Sequence, residues 1–205
     1  MTAPIAAPGA APRLGLRQRK KIKLRRTIQV EALGLFAAHG YEQTTVEQIA
    51  EAAETSTTTF YRYFPTKEDV VLDDDYDSFI DAIAAARPRD ESLAQTVRAA
   101  VAAAAEAGEA DRDFTLARLR LIATVPALEA RYAGEERKTE EMLIRFLAER
   151  TGRPQTDFQL ALTASVVVAA LFTATRRWAR ERGTSPLHAY TDQAVATVEP
   201  VLAQL

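Results

Sequence analysis

The side chains best suited to do chemistry in this sequence are hydroxyl, phenol and guanidinium groups that follow one another in residues 56–63. A serine and three threonines occupy 56–59, and Tyr61, Arg62 and Tyr63 come after a single phenylalanine. These groups donate and accept hydrogen bonds. A surface that carries them suits a polyanion with groove edges that can be read by hydrogen bonding. The run therefore predicts binding rather than catalysis.

Two short helices joined by a tight turn are predicted around this run, over residues 45–64. Thr45 and Gln48 have the spacing of a capping box that begins the first helix. Ser56 is the expected N-cap of the second helix, and Phe60 and Phe64, one turn apart, are expected to bury against the first. The first helix has its own apolar stripe, at Val46, Ile49, Ala50 and Ala53. The pattern is typical of a helix-turn-helix, although an ordinary amphipathic helical hairpin has the same spacing.

A wider stretch, residues 27–72, resembles the DNA-binding domain of TetR-family transcriptional regulators. The matching pieces, in order, are Gly40-Tyr41, Thr45-Val46 with Ile49-Ala50, residues 59–64, and Lys67-Glu68-Asp69. One position departs from the family pattern, because Glu54 stands where the turn between the helices usually has glycine. A left-handed residue there costs about 1–2 kcal/mol without glycine, so a slightly remodelled turn is expected.

The resemblance implies roles for individual side chains. Phosphates are expected at Thr45, Tyr61 and Lys67, and bases are expected to face Thr57, Thr58 and Arg62. With their neighbours and the end of the basic run described next, the predicted DNA-binding residues are Arg25, Arg26, Thr45, Ser56, Thr57, Thr58, Thr59, Tyr61, Arg62, Tyr63 and Lys67.

Charge is distributed unevenly along the 205 residues, whose formal net charge is −2. Residues 1–70 contain ten Lys and Arg against seven Asp and Glu, and eight cations fall between Arg13 and Arg26 without an acid among them. A solvated charge run has the same composition. Beside a helix-turn-helix, this basic arm is expected to hold backbone phosphates or to enter the minor groove.

The predicted fold is all-α with about nine helices, because alanine and long charged side chains dominate and glycine is scarce. A disordered tail is expected over 1–15, a three-helix DNA-binding domain over 16–65, and a helical ligand-binding and dimerisation domain over 66–205. Helix 1 is expected to end at Gly40, with Tyr41 filling the small core. A fourth helix is expected to run unbroken from near Thr66 to Ala86.

The last two predicted helices carry apolar residues at helical intervals, and the resemblance implies that they pair with a second copy of the chain. The proposed interface residues are Leu160, Ala164, Val167, Leu171, Val195, Val198 and Leu202. An intramolecular core is the alternative explanation of the same spacing. A homodimer would place two recognition helices on successive major grooves and so implies a palindromic operator.

Residues 118–131 also resemble the C-terminal domain of a TetR subgroup thought to sense acyl-CoA-like ligands. The implied partner is a small apolar or acylated effector that releases the protein from its operator. The candidate contact residues are Phe79, Ile83, Phe114, Tyr132, Phe146, Phe172 and Trp178. Each of them also suits a plain hydrophobic core.

Other function classes find little support in the composition. There is no cysteine, His39 and His188 are the only histidines, and no phosphate-cradling glycine loop is present, so we expect neither an enzyme nor a cofactor. The aspartates at 73–75 and 77 lack a calcium-loop pattern and predict no metal site. No secretory signal is apparent and the uncharged stretch 160–175 is short of a membrane span, so a cytoplasmic location is expected. A helical adaptor without DNA binding, or an activator of the same fold, remains an alternative.

Overall fold

The computed structural model describes residues 15–73 and 76–205, apart from the side chains of 76–79 and 81. Within these ranges every regular element is helical, which confirms the all-α prediction. Residues 1–14 of the predicted tail, together with Asp74 and Asp75, lie outside the described residues. The ten helices are α1 (Leu16–His39), α2 (Val46–Ala52), α3 (Thr57–Tyr63), α4 (Asp69–Leu72), α5 (Tyr76–Ala86), α6 (Leu93–Ala110), α7 (Arg112–Thr124), α8 (Pro126–Thr151), α9 (Phe158–Arg180) and α10 (Leu187–Leu202).

Helices α1 to α3 form a small unit around buried aromatic residues. Helix α1 ends where Gly40 takes a φ of 88°, a conformation that glycine adopts without steric cost. The following Tyr41 is buried, and its ring centroid lies 5.0 Å from that of Phe36. Phe60 and Phe64 of the α3 segment are both fully buried. The predicted stop, core plug and anchors of this unit are therefore confirmed.

The expected long fourth helix is instead two helices, because α4 ends at Leu72 and Asp73 has an extended backbone (φ −74°, ψ 111°). The carbonyl of Asp73 accepts hydrogen bonds from Nε2 of Gln29 at 2.9 Å and from the guanidinium of Arg25 at 3.3 Å. Side chains from α1 thus replace the main-chain donors that a continuing helix would supply. The prediction of one helix to Ala86 was wrong at this point, and the described residues contain ten helices rather than nine.

Helix α9 lies at the centre of the C-terminal bundle, in contact with α7, α8 and α10, while α10 also packs on α6. Its 23 residues have a stretch of mean hydropathy 1.8, which is long and apolar enough to cross a membrane by length and composition alone. The sequence analysis gave the uncharged stretch as residues 160–175. That stretch is two residues longer, because it already begins at Phe158. We interpret α9 as the core helix of the bundle because it packs against three others.

Two hydrophobic clusters of buried residues hold the described part together. The first runs from the α1–α3 unit through Val70 and Val71 of α4 to Leu119, Leu128 and Trp178 in α7, α8 and α9. The second lies between α6, α8, α9 and α10. Because the first cluster contains residues on both sides of position 65, the α1–α3 unit and the bundle share one apolar core.

The turn between α2 and α3 adopts the left-handed conformation expected at the glycine position, with Glu54 at φ 49°. The N–H of Thr55 donates to the carbonyl of Ala50 at 2.8 Å, and the N–H of Glu54 donates to that of Glu51 at 3.0 Å. These two bonds form a Schellman motif, which satisfies the last carbonyls of α2. Glutamate therefore occupies the turn without changing its type, and the remodelling expected from the missing glycine is not seen.

Replacement of Glu54 by glycine should stabilise the protein. Glycine removes the steric cost of a left-handed residue with a Cβ, part of which is offset by the greater freedom of glycine in the unfolded chain. We expect the free energy of unfolding in urea to rise by about 0.5–1 kcal/mol. The matched control is Glu51→Gly, three residues earlier and right-handed in α2, which should lower the same quantity by about 1 kcal/mol. Equal effects of the two substitutions would contradict the argument.

Candidate DNA-binding surface and ligand cavity

Helix α2 and helix α3 are both fixed by side-chain caps at their first residues. The hydroxyl of Thr45 accepts from the N–H of Gln48 at 3.3 Å, and the N–H of Thr45 donates to Oε1 of Gln48 at 2.8 Å. The hydroxyl of Ser56 accepts from the N–H of Thr59 at 3.1 Å. The predicted capping box and N-cap are confirmed, so the beginning of α3 is set by local hydrogen bonds.

The outer face of α3 is polar and open to solvent. Thr58, Tyr61 and Arg62 are exposed, and 51% of Tyr61 is accessible although the phenylalanine before it is fully buried. Thr57 and Tyr63 are half-buried. The hydroxyl of Ser56 donates to that of Thr59 at 2.9 Å, so these two predicted contact residues are engaged with each other in the cap. The side chains that face outward can hydrogen-bond to phosphates and to base edges.

From Arg17 onward, the basic run belongs to the first turns of α1 and lies next to α3. Cationic side chains of α1, with Leu24 and the α3 residues Arg62 and Tyr63, line an open groove of about 720 Å³. The cations on the α1 side are Arg17, Lys20 and Lys21. A positively charged groove beside an exposed polar helix is the arrangement that accommodates a nucleic acid backbone.

Three of the predicted DNA-binding cations are engaged within the protein. Arg25 forms an ion pair with Asp73 at 2.8 Å and lies 5.4 Å from the ring centroid of Phe64. Arg26 pairs with Asp111 and lies 3.3 Å from the ring centroid of Phe114. Both side chains therefore join α1 to other helices.

Lys67 is the third such cation. Its Nζ donates to the carbonyls of Tyr41 at 2.9 Å and Thr44 at 3.2 Å, and it lies 4.2 Å from the ring centroid of Tyr41. Lys67 thus fastens the start of α4 to the loop that precedes α2. The phosphate role that the family resemblance implies for Lys67 stays a prediction.

A cavity of about 150 Å³ lies within the bundle, next to the end of α4. Its walls are mainly apolar, and six polar side chains interrupt them. The apolar lining is Leu72, Ile80, Val101, Ala104, Ala105, Leu119, Tyr132, Leu171, Phe172 and Leu187; the polar lining is Thr115, Arg118, Glu135, Thr139, Thr175 and Thr191. An apolar cavity with a few polar groups is the usual form of a small-molecule site.

The ligand-contact residues that were predicted from the sequence lie in several different parts of the structure. Tyr132 and Phe172 line the cavity, with ring centroids 5.1 Å apart. The other described candidates do not belong to its lining: Phe114 packs on the first cluster, Phe146 on the second, Trp178 is fully buried, and Ile83 is half-buried. The side chain of Phe79 lies outside the described residues.

Arg118 was missed as a cavity residue by the sequence reasoning. It is 4% exposed, and with Thr115, Leu119 and Ile122 it occupies the buried face of α7. These four positions follow the helical repeat and form one face of α7. An arginine on a face that otherwise carries threonine, leucine and isoleucine could have indicated from the sequence that Arg118 is buried. A charge at such a position requires a specific hydrogen-bonding partner.

The residues proposed for dimer contacts lie inside the protomer, with the exception of the half-buried Leu171. Exposed fractions of the others are 2% or less, because they pack on α6, α8 and each other. They are Leu160, Ala164, Val167, Val195, Val198 and Leu202. Their assignment to an interface was wrong, and the alternative of an intramolecular core applies.

A different stripe of α9 faces outward, at Phe158 (78% exposed), Leu162 (45%) and Val166 (38%).

A capped two-helix unit with a polar outer helix, set beside a basic groove, defines a helix-turn-helix DNA-binding protein. Comparison with family models agrees with this class. Residues 28–73 match the model of bacterial regulatory proteins of the tetR family, and residues 91–203 match the MftR C-terminal domain of the same family. The second match alone covers more than half of the chain. The chain therefore belongs to the TetR family of transcriptional regulators. The matching family models and relatives are regulators and not enzymes.

Similar proteins support the same family. The transcriptional regulator TcmR of Streptomyces glaucescens is 36% identical over 173 residues, which cover 80% of this chain and 76% of TcmR. MftR of Mycobacterium tuberculosis, named for regulation of mycofactocin biosynthesis, is 29% identical over 161 residues, or 75% of this chain and 79% of MftR. The fold is shared with the repressor FadR of Thermus thermophilus, solved with lauroyl-CoA, at a TM-score of 0.57 and 23% identity over 85% of this chain and 92% of that one.

The position of Lys67 generates a stability prediction that needs no DNA. Lys67→Met retains most of the aliphatic stem and removes the two charge-assisted hydrogen bonds to main-chain carbonyls. Such bonds contribute about 1.5–3 kcal/mol when buried, and since Lys67 is half-exposed we expect the free energy of unfolding in urea to fall by about 1 kcal/mol. Lys20→Met at an exposed position is the control and should change stability by less than about 0.5 kcal/mol. Identical unfolding curves for the two variants would refute the bracing role.

Proposed function

We propose that the protein is a homodimeric repressor that acts in the cytoplasm, binds a palindromic operator and is released from it by a small acylated effector. The observation that carries the proposal is the position of Leu72. This residue ends α4, the helix that directly follows the helix-turn-helix, and it also forms part of the wall of the cavity. A ligand that moves this wall therefore acts on the helix that carries the DNA-binding unit.

DNA contact is assigned to the surfaces that are open to solvent. Thr58, Tyr61 and Arg62 on the outer face of α3 are proposed to meet base edges and adjacent phosphates in the major groove. Lys20 and Lys21 in the groove beside α3 are proposed to hold the backbone. Arg25 and Arg26 are assigned to the contacts with α4 and α7 instead, because both are already paired there.

The second copy of the chain is proposed to cover the outer stripe of α9. Phe158, Leu162 and Val166 follow one another at intervals of four residues, and the small side chains Ala169 and Thr173 continue the same face. An exposed apolar stripe of this length on a soluble domain is typical of an interface. Pairing through a two-fold axis would set two α3 helices about 34–36 Å apart, the separation of successive major grooves.

The effector is proposed to be acylated because the cavity is apolar and because FadR of T. thermophilus, which shares the fold, was solved with lauroyl-CoA. A cavity of 150 Å³ accommodates a group of about the size of benzene. An alkyl chain of eight or more carbons must therefore push its walls apart. The walls include the end of α4, so binding of such a chain favours a different position of α4 and lowers DNA affinity by linkage.

The direct test is selection of bound duplexes from random DNA, followed by gel shifts of the selected duplex with and without lauroyl-CoA. We expect the selection to enrich a two-fold symmetric site, and we expect lauroyl-CoA to dissociate the complex. Failure to enrich any sequence at moderate salt would favour a helical adaptor without specific DNA binding. An enriched site that lauroyl-CoA leaves bound would reject the acyl effector and retain the regulator.

Base reading and phosphate binding should separate in two single variants. Arg62→Ala is expected to relax the preference at particular base pairs, at a cost of about 1–3 kcal/mol on the selected duplex and less on random DNA. Lys21→Ala should weaken binding to both duplexes by similar factors and reduce the salt slope by about one. Competition binding at several salt concentrations measures both effects. An equal loss on random DNA for Arg62→Ala would assign this residue to phosphate instead.

The dimer interface is tested by a charge placed on the outer stripe of α9. Leu162→Arg should shift the protein from dimer to monomer in analytical ultracentrifugation at micromolar concentration, because pairing would bury an uncompensated cation. Arg182→Glu, exposed beyond the C-terminal end of the same helix, changes charge away from the stripe and should leave the dimer intact. A monomeric parent protein would remove the dimer from the proposal, and a dimeric Leu162→Arg variant would place the interface elsewhere.

A further inference from the structure

The last carbonyls of α4 are held by side chains from two other helices. Nε2 of Gln29 in α1 lies 3.4 Å from the carbonyl of Val70 and 2.9 Å from that of Asp73. The guanidinium of Arg118 in α7 donates to the carbonyls of Val71 at 3.1 Å and Leu72 at 3.4 Å. These two side chains thus bond four consecutive carbonyls, those of residues 70–73, and Arg25 adds a bond to the last.

Arg118 differs from Gln29 because it also lines the cavity. It is 4% exposed, so its guanidinium is removed from bulk water. A guanidinium has five N–H donors in a planar fork, and it binds carboxylate and carbonyl oxygens well at such sites. The same nitrogen that holds two carbonyls of α4 therefore belongs to a side chain within reach of a ligand in the cavity.

We infer that Arg118 recognises an oxygen acceptor on the effector and, in binding it, gives up its hydrogen bonds to the carbonyls of Val71 and Leu72. This inference rests on the proposed ligand response and names the chemistry that starts it. A ligand carboxylate is itself ionised, so its bond to the guanidinium is stronger than that of a neutral main-chain carbonyl, and the competition favours the ligand. The end of α4 then loses two of its bonds and moves more readily.

Charge within the cavity determines how such a ligand is oriented. Among the described lining residues Glu135 is the acidic one, and its carboxylate is paired with Lys138 at 2.8 Å. A ligand carboxylate next to Glu135 meets a like charge, whereas next to Arg118 it meets an opposite one. The acceptor end should therefore settle at Arg118, and the alkyl chain should extend along the apolar walls.

Octanoate and octylammonium test the recognition step, since they share one alkyl chain and differ in whether the end group can accept a hydrogen bond. Calorimetric titration of the full-length protein should show octanoate binding at least tenfold more tightly than octylammonium. The preference should fall below threefold in Arg118→Met. It should persist in Arg120→Met, the same change at an exposed position of the same helix. No preference in the parent protein, or an undiminished one in Arg118→Met, would overturn the inference.

Hydrogen exchange of the α4 amides tests the coupling step. In the parent protein, saturating octanoate should speed exchange of these amides at least fivefold. In Gln29→Met, which alters the α4 contacts outside the cavity, exchange should already be faster without ligand, and the octanoate preference should remain. Preferential binding of octanoate without any change in α4 exchange would reject the coupling.

Circular dichroism checks the helical content of Arg118→Met. Because this variant could misfold, a conservative substitution provides a second test. Arg118→Lys keeps the positive charge and should retain at least a threefold preference for octanoate, while one ammonium replaces the planar fork at the two carbonyls and α4 exchange rises. A folded Arg118→Lys protein without preference would contradict the inference. None of these measurements uses DNA, so a failure of operator binding would leave them interpretable and would bear on the proposed function alone.

Discussion

A helix of four residues cannot satisfy the carbonyls at its own end, and this constraint determines how α4 is held in the molecule. Among the described residues, Gln29 in α1 and Arg118 in α7 donate to these carbonyls, and Arg25 adds a bond to that of Asp73. The start of α4 is capped locally, since the N–H of Asp69 donates to the hydroxyl of Thr66 at 3.3 Å, and Arg131 of α8 donates to the side chains of both residues, each at 2.7 Å. Side chains from α1 and α7 at its end, and from α8 at its start, therefore join α4 to the rest of the molecule.

Burial divides α9 into faces with different roles. Its inner residues pack against three neighbouring helices, whereas Phe158, Leu162 and Val166 remain on the outer surface. The helix therefore has apolar residues on both its inner and its outer face. This explains why α9 is long and apolar enough, by length and composition alone, to cross a membrane. A single amphipathic pattern cannot describe a helix that is covered on one face by its own chain and is proposed to be covered on another by a second copy.

Features that depend on neighbouring residues were predictable from the sequence. The caps at Thr45 and Ser56 each follow from a few adjacent side chains and recur in the structure. The break at Asp73 was not predictable, since its donors lie more than 40 residues away in α1. The role of Arg118 depends in the same way on contacts between distant helices. Spacing also could not decide which apolar stripe of α9 faces inward, because both stripes repeat every three or four residues.

The first hydrophobic cluster has a consequence for how this molecule could be divided or recombined. Because Phe64, Val71, Leu119 and Trp178 belong to one core, a cut at position 65 would expose apolar surface on both fragments. Chimeras that exchange C-terminal bundles between relatives should therefore transfer α1, α4 and α7 together with their contacts. The unit that can be inherited intact is larger than the sequence motif by which the DNA-binding part is recognised.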